Sequence, residues 1–287
     1  RYPMHILKGY TKQEISWMMY DWANSAHSVI IVTLLPIFFD TVAGYTADSV
    51  SSMSTWGYAT SIAMLIVALA APFLGVFGDI RGMRKKLFSF FMLLGVAACA
   101  GMAFTPVMDF TSGPAAAGKV ATLILVLYIV SVIGFDASAI YYDAFLTDVT
   151  TEDRMDKVST MGYGLGYIGG STIPLLIFLI MNLVGVPMLT CLAFVFGLTA
   201  VWWLAFSLPL LKNCEQTSGK PYEKGDVARS IKGVGTTIKE IIANKPMLIY
   251  ILSYFFYIDG VHTVISMATT YGTNLGLDST GMMLALL

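Results

Sequence analysis

The residues of this sequence most able to do chemistry are ionisable side chains set inside long apolar runs. The first run holds Asp21, Asn24 and His27, with Ser25 and Ser28. Asp21, Asn24 and Ser28 stand at i, i+3 and i+7, which puts them on one helical face. The fourth run holds Asp136 and Asp143, seven apart and again on one face, beside Ser138, Tyr141 and Tyr142. The seventh holds Asp259 and His262 at i, i+3, with Tyr257 and Ser266. A charge at the centre of a membrane span costs about 2.5–3.5 kcal/mol or more, so such residues mark a solute or ion pathway, or find a partner across the bundle. Asp136, or Asp259 with His262, is read here as the carrier of a coupling proton or the contact for a charged solute group. A helix-to-helix hydrogen bond that locks packing is the equal alternative for both. Asp21 lies nearer its span end and is read as a packing group. His27 and His262, taken singly, are read as packing or hydrogen-bonding residues before ligands.

Other chemistries find no support. Cys99, Cys191 and Cys214 are scattered and form no CxxC pair, so neither a disulfide framework nor a metal site is expected. With three histidines and no HExxH, nothing assembles a hydrolytic centre, and the chain is not expected to be an enzyme. No GxxxxGK[ST] segment is present to bind a nucleotide, and no cofactor is expected. The net charge of −1 gives no general affinity for nucleic acid.

These residues need apolar elements to position them. Of 287 residues, 56% are hydrophobic and 12% charged. A soluble domain carries about 25% charged residues, so the bulk of this surface must face lipid. About 20 apolar residues cross the hydrocarbon core as a helix. Spans are expected at 16–41, 55–78, 86–106, 120–147, 158–184, 187–210 and 246–272, and an eighth apolar run begins near Ser279. Because that run stops at Leu287, the chain is expected to be a fragment. The fold class is therefore an all-α, polytopic membrane bundle of seven spans and the start of an eighth. Three parts are expected: a six-span half at 1–211, a linker at 212–245, and the start of a second half at 246–287. The charges of that linker suit a solvated, partly amphipathic helix.

Lys and Arg give the orientation. Sixteen of the 17 lie at the N-terminus or in the even-numbered connections, and only Lys119 lies in an odd one. By the positive-inside rule the N-terminus and the even connections are cytoplasmic.

The second connection reads Gly75-Val-Phe-Gly-Asp79-Ile-Arg81-Gly82-Met-Arg84-Lys85-Lys86. A carboxylate closes one span, a glycine makes the turn, and a basic cluster opens the next. Asp79 can pair with a nearby arginine or face a helix N-terminus. Gly82 permits a backbone conformation closed to residues with a Cβ. This run resembles the G-x-x-x-D-x-x-G-x-[RK]-[RK] signature of the major facilitator superfamily. The opening Trp17-Met-Met-Tyr20-Asp21-Trp22-Ala-Asn24-Ser25-Ala narrows the likeness. It is similar to the vacuole-effluxer branch, named for an autophagy-related yeast protein that exports amino acids. Tyr142-Asp143-Ala-Phe-Leu-Thr147-Asp148 and Tyr257-Ile-Asp259-Gly260-Val-His262-Thr263 carry the same likeness, which covers the whole chain.

That resemblance implies two six-span halves around a central cavity lined by spans one, four and seven. It implies a monomeric secondary active transporter in the lipid bilayer, moving a small polar solute, amino acids first, by alternating access. Either a proton gradient or the solute's own gradient would drive it, the proton being the coupling ion suggested by the carboxylates inside the spans. The candidate cavity residues are Asp136, Asp259, His262, Asn24, His27 and Asp143. Gly75, Asp79, Arg81, Gly82, Arg84 and Lys85 form the candidate cytoplasmic gate. The long extra loops of fungal members are absent, which favours a bacterial inner membrane over a vacuolar one. A non-transporting sensor built on the same fold is the alternative.

Two further patterns complete the reading. Gly162, Gly166 and Gly170 stand four apart in the fifth span and are expected to let helices approach closely. The five tryptophans, Trp17, Trp22, Trp56, Trp202 and Trp203, are expected mainly as interfacial anchors near span ends.

Overall fold

Hydrocarbon offers no partner to a free backbone amide, so a chain this apolar must satisfy its backbone within helices. The computed structural model describes residues 8–46, 49–221, 225–277 and 281–282. Its elements are α1 (Lys12–Ala43), α2 (Ser49–Gly78), α3 (Arg84–Met102), α4 (Pro114–Val149), α5 (Met155–Leu165), α6 (Thr172–Leu183), α7 (Met188–Asn213), α8 (Asp226–Ala243) and α9 (Lys245–Asn274). A π-helical turn, Gly166–Ser171, joins α5 to α6 as one fifth span. Among the described residues, seven helical segments are long and apolar enough to cross a membrane. They coincide with the seven runs read from the sequence. The eighth run, from near Ser279, lies almost wholly outside the described residues.

Local chemistry sets the helix ends. Thr11 and Glu14 form a reciprocal capping box at the start of α1: the Glu14 amide donates to Thr11 Oγ1 at 3.1 Å and the Thr11 amide to Glu14 Oε2 at 2.7 Å. Pro114 opens α4, where its missing N–H costs nothing. Asn244 caps α9 through its side chain. The turn between α2 and α3 passes through Gly82 at φ +79°, a left-handed conformation that disfavours a Cβ.

α1 runs through the middle of the bundle and packs against α4, α5, the π-helical turn and α7, with α9 alongside. α3 and α4 pair closely because Gly95 and Gly134 face one another. A Cβ on Gly134 would sit 2.5 Å from the Gly95 amide nitrogen. The core has two zones. One gathers Ile30, Phe38, Trp56, Tyr128, Phe178 and Phe196. The other, toward the end that carries most Lys and Arg (the basic end), gathers Trp17, Tyr20, Phe88, Tyr141, Tyr142 and Trp203.

The tryptophan expectation is corrected here. Trp17, Trp56 and Trp203 are buried inside the bundle. Trp17 Nε1 donates to the Tyr142 carbonyl at 2.9 Å, and Trp203 Nε1 donates to the Tyr20 hydroxyl at 3.3 Å. Internal acceptors hold Trp17 and Trp203 in the core, where an indole N–H facing lipid would have none, whereas Trp56 is held by ring contacts with Phe39 and Tyr128. Trp22 and Trp202 are half-buried and stack with centroids 6.2 Å apart.

Candidate functional site

A cavity of about 650 Å³ opens between α1, α4, the fifth span and α9. The polar face of α1 supplies Asp21, Asn24, Ser25 and Ser28, and α4 supplies Asp143 and Tyr142. Tyr163, Tyr167 and Ser171 enter from the fifth span. Val264, Ile265, Ala268 and Thr269 close the α9 side. The described lining residues include two carboxylates and no Lys, Arg or His. The lining also carries aromatic rings and hydroxyls, together with Val29, Val32 and Phe135.

The fifth span reaches α1 through its glycines. A Cβ on Gly170 would lie 2.5 Å from the Trp22 carbonyl oxygen, and one on Gly166 would lie 2.6 Å from Ser25 Oγ. The π-helical turn falls on this contact. Such turns insert a residue into a helix and redirect the side chains that follow, and they recur at functional sites. Here the turn lies between Tyr163, which precedes it, and Ser171, its last residue, and all of Tyr163, Tyr167 and Ser171 line the cavity.

The candidate cavity residues separate in space. Asn24 and Asp143 line the cavity. Asp136 is half-buried on α4 and does not line it. His27 is buried between Phe135 and Trp203, with centroids at 4.8 Å and 5.1 Å, and neither ring nitrogen has a hydrogen-bond partner. Asp259 and His262 are exposed on α9 and also lie off the cavity lining. Asp21, read from sequence as packing, does both jobs: it lines the cavity and accepts a hydrogen bond from the Tyr142 hydroxyl at 2.8 Å.

At the basic end, Arg84 is the buried member of the turn sequence. Its guanidinium pairs with Asp148 at the end of α4, the two side chains being 6% and 0% exposed. It also donates to the Ala144 carbonyl at 2.9 Å. Asp79 stands 3.9 Å from Arg84 with its own side chain 84% exposed. The segment after α7 straps across this turn. Gln216 Oε1 accepts from the Gly82 amide at 2.8 Å, and its Nε2 donates to the Gly78 carbonyl at 3.0 Å. The amides of Thr217 and Ser218 donate to Asp148 Oδ1 at 3.1 Å and 2.8 Å. Beyond them, the Arg81 amide bonds the Lys220 carbonyl at 3.0 Å. On the other side, Arg154 Nε donates to Glu14 Oε1 at 2.8 Å, tying the start of α1 to the connection after α4.

The model of the vacuole effluxer Atg22-like family matches residues 44–287. The chain belongs to that family. It is 39% identical over 289 aligned residues to an uncharacterized MFS-type transporter, YxiO, of Bacillus subtilis (strain 168), covering 98% of this chain and 65% of that relative. It is 26% identical over 131 residues to autophagy-related protein 22-1 of Sclerotinia sclerotiorum, covering 40% of this chain and 22% of that protein. A similar stretch matches autophagy-related protein 22-1 of Penicillium rubens at 26% identity, covering 40% of this chain and 21% of that protein. No solved structure matches the chain. The chain thus spans about two thirds or less of the length of these relatives.

For this Atg22-like chain, the family resemblance read from the turn and the α1 opening is borne out, as is the all-α multi-pass bundle. Residues that the sequence did not single out include Tyr163, Tyr167 and Gln216, and Asp148 stood out only within a family motif. The Asp21–Asn24–Ser28 spacing already marked the cavity face of α1. Nothing in the sequence marked Gln216, because its partners are backbone atoms of a turn more than 130 positions away.

Proposed function

We propose that this chain is the larger part of a secondary transporter that moves a small polar solute, amino acids first, by alternating access. The observation that carries the reading is the cavity, which gathers Asp21 and Asp143 on one lining without a balancing cation. Two carboxylates in a partly apolar hollow favour an ammonium group, and the exposed rings of Tyr163 and Tyr167 on the same lining add cation–π attraction. Val29, Val32 and Phe135 offer an apolar wall to a side chain. An α-amino acid presents both features. The family match and the MFS-type relative support transport as the activity.

In this proposal residues 1–211 form one half, 212–245 the linker and 246–287 the opening of the second half. The basic end is cytoplasmic, as the sixteen one-sided cations suggest, and the membrane is a bacterial plasma membrane. The Arg84–Asp148 pair and the Gln216 strap hold the cytoplasmic side closed in one state and must loosen in the other. A proton carried by a cavity carboxylate is the candidate coupling ion. Counterflow of radiolabelled amino acids into proteoliposomes of the full-length protein tests the activity. Uptake driven by trapped unlabelled amino acid supports it, and solute binding without counterflow points instead to a receptor.

A further inference from the structure

We propose that the hollow beside the start of α3 binds the phosphate of an anionic phospholipid. The hollow has a volume of about 350 Å³, and Arg81, Lys85 and Lys86 contribute three cations to its wall. Arg84, in the same turn, is neutralised by Asp148. Arg81, Lys85 and Lys86 make no ion pair among the described residues. Glu215 on the rim offsets one charge and leaves a net positive hollow. Helix polarity sharpens the imbalance: the first turn of α3 has no acidic residue, although a helix N-terminus favours anions over cations. Ser89 already donates its proton to the Lys85 carbonyl at 2.7 Å, so the cations, not the hydroxyl, would hold the phosphate.

The outer face of α3 decides for a lipid over a free anion. From Lys86 the exposed stripe continues through Phe90, Leu93 and Ala97, with Phe90 60% and Leu93 49% exposed. These positions follow at i+4, i+7 and i+11, so they form one line running from the hollow into the hydrocarbon. A phosphate in the hollow places its acyl chains along that line. Basic pockets at the ends of membrane helices bind anionic head groups, each Lys or Arg near the surface contributing to the attraction. The inference is independent of which solute the cavity takes.

Native mass spectrometry of the full-length protein, released from nanodiscs of phosphatidylglycerol or phosphatidylcholine, tests it. Wild type should retain phosphatidylglycerol over phosphatidylcholine. The double variant Lys85→Gln/Lys86→Gln should lose that retention by about tenfold. Lys85→Arg/Lys86→Arg and the far-end control Lys119→Gln should keep it. Millimolar inorganic phosphate should not displace the lipid. Unchanged retention in the Gln variant, equal loss in the Arg variant, or displacement by inorganic phosphate would each overturn the assignment.

Discussion

The Tyr142 hydroxyl donates to Asp21 Oδ2 at 2.8 Å, joining α4 to the cavity face of α1. The same tyrosine ring stacks on Trp17 with centroids 4.3 Å apart, and Trp17 Nε1 bonds the Tyr142 backbone carbonyl. One contact therefore holds the cavity carboxylate, and two more hold the tyrosine that makes it. Asp21 acts as a positioned acceptor rather than a free charge.

Tyr142→Phe keeps the ring stack and removes only the hydroxyl bond. A hydrogen bond to a charged group contributes about 1.5–3 kcal/mol. Solute affinity should fall about tenfold, and the thermal midpoint should drop by a few degrees because the bond is already present without solute. Equilibrium binding in detergent reads the first and a thermal melt the second. Unchanged affinity would remove Asp21 from the binding role.

Removing one partner of a buried ion pair strands the other. Asp148→Ala should destabilise the protein by about 3–5 kcal/mol, whereas Asp79→Asn, at an exposed carboxylate, should stay within about 0.5 kcal/mol. Melting curves of the two variants check this directly. If Asp79 latches the turn, Asp79→Asn slows transport and leaves solute binding intact. An equal loss of stability in both variants would mean that Arg84 shares its charge evenly between the two carboxylates.

The fifth-span glycines divide by what lies beside them. Gly170→Ala drives a Cβ onto the Trp22 carbonyl, while Gly164→Ala meets nothing within 4 Å. The first should cost about 1–3 kcal/mol as overpacking and reduce transport; the second should be neutral or slightly stabilising. Expression level and melting temperature of the pair separate the cases, and equal behaviour would contradict the packing described.

Cys214 reports on the strap. It is buried beside the Gln13 carbonyl, and burial pushes its thiol up to about 12, so it stays protonated and unreactive at neutral pH. Gln216→Ala removes the bonds to Gly82 and Gly78 and should speed maleimide labelling of Cys214 about tenfold, read by mass spectrometry. An unchanged rate would show that the strap is held by other contacts.

The spans and the basic turn were legible because length, hydropathy and charge record them directly. Helix rotation was not. A membrane helix is apolar toward both its neighbours and lipid, so periodicity does not say which face turns inward. Hence Asp136 and Asp143, on one face by spacing, part company: Asp143 lines the cavity and Asp136 does not. The burial of Trp17, Trp56 and Trp203 was hidden for the same reason, since a tryptophan near a span end fits an interface or a core equally well. Asp148 was visible only as part of a family likeness; its pairing with Arg84 needed the fold.

Asp136 also provides a contrast with the cavity carboxylates. Because it lies off the lining, Asp136→Asn should leave solute affinity within about twofold of wild type, whereas Asp143→Asn should weaken it about tenfold. Titration of both variants with the same labelled solute decides the matter.

Counterflow with full-length protein in proteoliposomes, comparing an amino acid with its N-acetylated form, tests the cavity reading most directly. The account predicts uptake of the free amino acid, little or none of the N-acetyl form, and loss of uptake in Asp143→Asn. Equal transport of both forms, or full transport by Asp143→Asn, would contradict it.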